Sequence, residues 1–356
     1  MADKHDSPVV KSQHKVPRKY LEAWCSADGK LFTFRRGGNL FSCSVMKIEA
    51  EGYFYRFENL SIDELEFLFR LLTDCLGLPL EYVQQRMTIM IGPVILSRIL
   101  SGACQDRSEF ELCMERASHM GAISAEFVDL ARMAWVSKNT GVRINADEAL
   151  MIDAFVKNGG EEILCKIEDD AWPALDLAVG GQVDRINENG ELKWHLAKYM
   201  VYQTMRGNKF GALSKKTFHG LQSGESTERV AAYMRWFMAE KIEYGLCPKM
   251  SEVRFRLIEN TTEEEFLTGD NPVFDPVLSH GHTSSLNKWA FFFPVSPRRA
   301  LLLIGNEAES KYARFLNPSI DEVVELNCRL CDSCVSQIHA THSAILEKNV
   351  YRQRLT

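Results

Sequence analysis

No stretch of this sequence stays apolar for the ~18 residues that a bilayer-crossing helix needs. Its first residues, Met1-Ala2-Asp3-Lys4-His5-Asp6-Ser7, have no apolar core of the kind a secretion signal carries. Both absences lead us to expect a cytoplasmic protein with no membrane partner. An excess of positive charge is also missing. Lysine and arginine total 42 against 48 acidic residues, for a net charge of −6 at pH 7. A general nucleic-acid coat normally carries a broad basic surface, so this balance argues against that class. Several catalytic signatures are absent too. There is no G-x-x-x-x-G-K-[ST], no H-E-x-x-H and no G-x-S-x-G, so P-loop, zincin and nucleophile-elbow chemistry find no support. Gly180-Gly181 lacks the rest of a dinucleotide fingerprint.

What is present suits a sizeable core. The chain has 356 residues, 46% of them apolar, a length that allows two or three structural units. Its ten cysteines, with no secretion signal, read as reduced thiols. Residues 17–24 predict a helix, with Pro17 in its first turn. Residues 31–35 and 40–43 flank Arg36-Gly37-Gly38-Asn39 and predict a hairpin. Ser61-Ile62-Asp63-Glu64 caps the first helix of a block, 61–172, that is helical throughout. Within it, Gly92-Pro93 predicts a kink or break, and Gly159-Gly160 a separation between two helices.

A second hairpin is expected over 180–194, then helices over 195–206 and from Ser226 to Tyr244. Alternation over 252–259 predicts a strand, with 265–268 as its antiparallel partner. Further strands are expected at 289–293 and 300–304, and a final helix at 321–339. The fold class expected is α+β, predominantly helical, with a small antiparallel sheet formed from N- and C-terminal parts of the chain. Residues 1–60 would pack with an α+β core at 175–356, with 61–174 as a helical insert. Each group of strands is small, so the first hairpin should share a sheet or layer with the strands at 253–258 and 289–304.

Three polar motifs could carry chemistry. His14 precedes a helix, where the positive end suits anions and disfavours a protonated ring. Gln203 and Arg206 stand three apart on one helical face, and Arg206 suits phosphate or carboxylate. Tyr199 and Tyr202 nearby could stack on a ring. Gly269-Asp270-Asn271-Pro272 follows a strand; its Asp can hold a turn, act as a base or orient His14. Cys328, Cys331 and Cys334, followed by His339 and His342, resemble a metal set in spacing. On one continuous helix, however, the three thiols spread along the axis, so no metal is expected and at least two thiols should be buried. His280-Gly281-His282 reads as a polar loop.

The segments His14-x-x-Pro17-x-x-Tyr20-Leu21, Gln203-x-x-Arg206 and Asp270-Asn271-Pro272, with the strand at 291–297, resemble the bacterial family labelled domain of unknown function 4238. The resemblance runs from about His14 to the Asn327 region and is poor over 77–160. The family label implies residues to watch and no activity. One reading is an intracellular enzyme acting on a phosphate-containing substrate, of nuclease or nucleotide-processing type. His14 and Asp270 would be catalytic, while Gln203, Arg206, Tyr20 and Asn271 would bind a nucleotide or nucleic-acid substrate; no cofactor can be named. The alternative is a non-enzymatic binding or sensor module in which the same motifs latch the N-terminal helix in place. An open cleft holding His14, Arg206 and Asp270 together would favour the first, and a sealed, hydrogen-bonded junction the second.

Overall fold

The computed structural model describes residues 12–48, 50–52, 55, 57, 60–101, 106–121, 125–140, 146–206, 224–276, 290–305 and 309–353. The chain opens with β1 (Ser12–His14), α1 (Arg18–Leu21), β2 (Lys30–Arg35), β3 (Leu40–Ser44) and β4 (Ala50–Gly52). Helices follow: α2 (Ile62–Arg70), α3 (Leu80–Ser101), α4 (Arg107–His119), α5 (Ala125–Thr140), α6 (Ala146–Val179), α7 (Val183–Glu188), α8 (Gly190–Arg206) and α9 (Gly224–Leu246). The last part holds β5 (Val253–Glu259), β6 (Thr268–Gly269), β7 (Ala290–Ser296), β8 (Arg299–Gly305), α10 (Glu309–Tyr312), α11 (Ile320–Ser333), β9 (Gln337–Ala340) and α12 (Ser343–Gln353). No helix among the described residues is long and apolar enough to cross a membrane. Residues 207–223 and the His280/His282 pair lie outside the described residues.

Two compact units divide the chain. The first comprises Met1–Gln13, Gly52–Ile163 and Ser214–Phe237; the second comprises His14–Glu51, Leu164–Leu213 and Met238–Thr356. Apart from Ser12 and Gln13 of β1 and Gly52 of β4, the described elements of the first unit are helices. Ser61 and Glu64 form a reciprocal cap at the start of α2, and Leu65, Leu68 and Leu72 are buried behind it. Glu64 also pairs with Arg229 at 2.7 Å. The expected interruptions do not occur: α3 runs on through Gly92-Pro93 and α6 through Gly159-Gly160. A proline costs a helix about 3 kcal/mol and a glycine about 1. Burial of Met87, Ile91, Val94 and Ile95 around Pro93 outweighs the first, and the long apolar stripe of α6 the second.

The second unit contains two small antiparallel sheets, so the α+β class holds. One has the strand order β3-β2-β9-β6, the other β5-β8-β7. The first unites the N-terminal hairpin with C-terminal strands. Thr33, His339 and Thr268 stand opposite one another across three strands, all fully buried, with a 3.0 Å bond between Thr33 Oγ1 and His339 Nδ1. The hairpin and the strands β5, β7 and β8 occupy different sheets. They share one core nonetheless: Phe32, Phe34 and Leu40 pack on a cluster holding Ile258, Phe292, Leu302 and Leu330.

Three local expectations are corrected. Residues 180–194 form helices, not a hairpin. Gly181 has φ +76°, and the Gln182 and Gly180 amides return to Leu177 and Asp176, so the glycines terminate α6. The Asn189 side chain then accepts from Glu191 and Leu192, capping α8. The partner of β5 is β8, in a seven-residue register from Val253↔Gly305 to Glu259↔Arg299. Residues 265–267 need no strand partner, because Asn327 accepts from the Leu267 amide and donates to the Glu265 carbonyl. The helix expected over 321–339 is α11, and it stops at Ser333. Ser333 Oγ bonds the Leu330 and Asn271 carbonyls, and the chain turns into β9. Cys334 therefore lies beyond the helix, in extended geometry. Cys331 and Cys334 are buried, and burial pushes the Cys331 thiol up to about 12.

A Cβ on Gly269 would collide with Cys334 Sγ and with the Gln337 carbonyl oxygen. Gly269→Ala should therefore destabilise the protein by about 1–3 kcal/mol, read as a lowered urea midpoint; an unchanged midpoint would show that β6 and β9 can separate freely.

Candidate functional site

His14, Tyr20, Gln203 and Arg206 meet around α1, inside the second unit, whereas the Asp270 carboxylate expected beside them bonds Val335 and Ser336. Arg206, at the last position of α8, is 4% exposed. Its guanidinium pairs with Glu168 through Nη1 and donates to the His14 carbonyl through Nη2. One turn back, Gln203 Nε2 donates to the Lys15 carbonyl at 3.2 Å. The Q-x-x-R spacing thus lets one helical face grip two successive carbonyls of the segment entering α1. His14 and Arg206 are brought together through the histidine's backbone.

The His14 ring engages a different group. Nδ1 lies 3.1 Å from the Ile48 carbonyl, and a carbonyl only accepts, so Nδ1 carries the proton of the neutral ring. Burial holds the ring's pKa below its ordinary value. The Ile48 bond opposes this, Arg206 and Arg18 add to it, and Glu168 opposes it. The half-buried ring is therefore neutral near pH 7.

Tyr20 ties α1 to the sheets. Its hydroxyl donates to the Pro294 carbonyl at 2.7 Å and so accepts from Thr268 Oγ1, also at 2.7 Å. Its ring stacks on Phe293 with centroids 5.0 Å apart. Burial pushes the phenol well above its usual range. Trp24 adds an indole N–H bond of 3.1 Å to the Phe266 carbonyl. The tyrosines on α8 have other tasks than stacking on a ligand. Tyr199 packs against Phe293, and Tyr202 donates to Glu240 and Glu243 on α9. Tyr199 Oη and Gln203 Oε1 are buried without a hydrogen-bond partner among the described residues.

Asp270 is fully buried. One carboxylate oxygen accepts from the Val335 amide at 3.0 Å, the other from the Ser336 amide and hydroxyl at 2.8 and 2.6 Å. Asn271 is also buried, and its Nδ2 donates to the Ser333 carbonyl. Both residues thus hold the turn between α11 and β9. Among the described residues no group of three His, Cys, Asp or Glu side chains is placed to hold a metal.

Sequence reasoning missed Glu168, the carboxylate opposite Arg206. Its only signal was its place in the acidic run Glu168-Asp169-Asp170. Thr268 was also missed as Tyr20's partner, although it adjoins the D-N-P turn.

A family model described as "Protein of unknown function (DUF4238)" matches residues 12–89 and 158–344. The chain belongs to this family. No curated protein matches, and no solved structure does. The matched spans hold the junction residues His14, Tyr20, Glu168, Gln203, Arg206 and Thr268, and also Asp270. Residues 90–157, between the spans, contain α4, α5 and half of α3.

Two outcomes follow from this geometry. Arg206→Met strands the Glu168 carboxylate and should cost about 3–5 kcal/mol of stability; adding Glu168→Gln should return much of it, measured by chemical denaturation. Equal losses in the single and double variants would mean the pair is not coupled. The second outcome concerns pH. His14 has a depressed pKa in the folded state, so on acidification the unfolded chain takes up its proton first. Stability present above about pH 6.5 is then lost as pH falls through the folded value. His14→Gln should flatten this difference between pH 7.5 and 5; a His14→Gln profile parallel to the original would show that the ring does not contribute.

Proposed function

We propose that this chain is a non-enzymatic binding or sensor module in which the family motifs are a structural latch. The observation that carries this reading is the state of Arg206. It is buried, and its two terminal nitrogens face Glu168 and the His14 carbonyl. A substrate phosphate would have to displace a carboxylate that already neutralises the cation. Gln203, Tyr20, Asp270 and Asn271 likewise bond backbone or neighbouring side chains. Apart from Gln203 Oε1 and Asn271 Oδ1, which have no partner among the described residues, these buried groups are bonded within the chain. Such groups hold a fold in register more readily than they turn over a substrate. The helical unit outside the latch is then the surface for a partner or ligand, since function on a shared scaffold usually sits in its variable parts.

The test is a hydrolysis panel of nucleotides, single-stranded and double-stranded nucleic acids, run with the original chain and His14→Gln. The expected result is no turnover that depends on His14. Turnover abolished in His14→Gln, at an unchanged melting temperature, would overturn the reading and restore an enzyme acting on phosphate-containing substrates.

A further inference from the structure

The second unit carries a buried lysine that no carboxylate answers. Lys193, in the first turn of α8, is 8% exposed. Its ammonium donates to the Met250 carbonyl at 2.6 Å. That is its only hydrogen bond among the described residues, so two of its three donors are left over. A cation so placed normally has a counter-charge beside it. The charge that acts on Lys193 is instead another cation, the Arg254 guanidinium. Burial lowers the Lys193 pKa, and Arg254 lowers it further.

The fold imposes this meeting of like charges. β5 is an edge strand, and Asn187 of α7 covers it at Phe255. The Asn187 amide donates to the Phe255 carbonyl and accepts from the Phe255 N–H, both at 2.9 Å. That clamp fixes α7 against β5, and α8 follows directly after Asn189. Arg254 is exposed between the buried Val253 and Phe255, so it lies on the outer face of β5. The acidic residues of the neighbouring segments do not neutralise the pair. Glu191 lies 3.6 Å from His195. Asp184 and Glu188 of α7, and Glu252 just before β5, are exposed and make no ion pair with Lys193 or Arg254.

We infer that Lys193 and Arg254 form a binding site for a phosphate dianion, either free or at the end of a phosphate monoester. Two negative charges then meet two positive ones, whereas a carboxylate or a phosphodiester would leave one cation unmatched. The spare ammonium donors and the guanidinium fork suit adjacent phosphate oxygens. Lys193 and Arg206 stand at opposite ends of α8, about 20 Å apart along its axis. The site is therefore separate from the latch and does not rest on how the latch is read.

The experiment is isothermal titration of the full chain at pH 8, where a monoester is doubly ionised, and at constant ionic strength. The probes are inorganic phosphate, methyl phosphate, dimethyl phosphate and acetate. Inorganic phosphate and methyl phosphate should bind saturably, at least ~10-fold more tightly than the two singly charged probes. Arg254→Gln, at an exposed position, should weaken methyl phosphate by at least ~10-fold. Without anion its melting temperature should match or exceed the original, because a like-charge contact is removed. Lys193→Met should abolish saturable binding of both dianions; should it fail to fold, Arg254→Gln decides alone. The inference is overturned if neither dianion saturates, or if dimethyl phosphate or acetate binds as tightly as they do. Retention of the original affinity in Arg254→Gln overturns it as well.

Discussion

A fully buried carboxylate sets the course of the chain through its C-terminal part. Asp270 has no access to water, and a carboxyl group in such a place needs hydrogen-bond donors within reach. The amides of Val335 and Ser336 and the Ser336 hydroxyl supply them. Those donors exist in the right place only if α11 stops at Ser333 and the chain turns at once. That turn delivers β9 between β2 and β6. The four-stranded sheet, the burial of Thr33 and His339, and the position of Thr268 beneath Tyr20 all follow from where β9 begins. The D-N-P motif is therefore a folding instruction, and Asn271, which holds the Ser333 carbonyl, belongs to the same device.

The junction around α1 works on the same logic with the opposite charge. Arg206 is a buried cation, and Glu168 beside it reduces the desolvation penalty. The remaining donors go to main-chain carbonyls of the incoming segment. A short helix such as α1 has little stability of its own. It is held from one side by Arg206 and Gln203, from the other by Tyr20 and Trp24, through bonds spanning 188 to 274 residues of sequence. Motifs far apart in the chain thus read as a single mechanical part.

Much of this was legible in the sequence because the signals are local. The Ser61 cap, the hairpin around Gly37-Gly38 and the Q-x-x-R face are set by residues within one or two turns of each other. What the sequence hid are features decided by distant side chains. Asn327 satisfies the backbone of Glu265 and Leu267 from 60 residues away, so a segment that alternates like a strand need not pair as one. Gly180-Gly181 illustrates a different ambiguity: a glycine pair reads equally as a hairpin turn and as a helix stop, and only the packing of α6 chooses. The three cysteines were placed on one helix because nothing nearby revealed that Asp270 ends it before Cys334. For the candidate site, the contact of His14 with Arg206 could be foreseen, while Asp270, expected with them, bonds the Val335 and Ser336 amides instead. That the His14–Arg206 contact runs through a main-chain carbonyl could not be foreseen, since every residue offers the same carbonyl.

The long reach of β9 has a consequence for synthesis. Thr33 and His339, neighbours in the finished sheet, are separated by 306 residues. At ~5–20 residues per second of elongation, the N-terminal hairpin waits roughly 15–60 s for the strand that covers it. Throughout that interval β2 presents an unpaired edge, the feature through which nascent chains associate with one another. Its outward charges, Lys30 and Arg35, are the kind of residue that discourages such pairing. On the ribosome this protein is thus a hairpin held in reserve until some 300 further residues have been made.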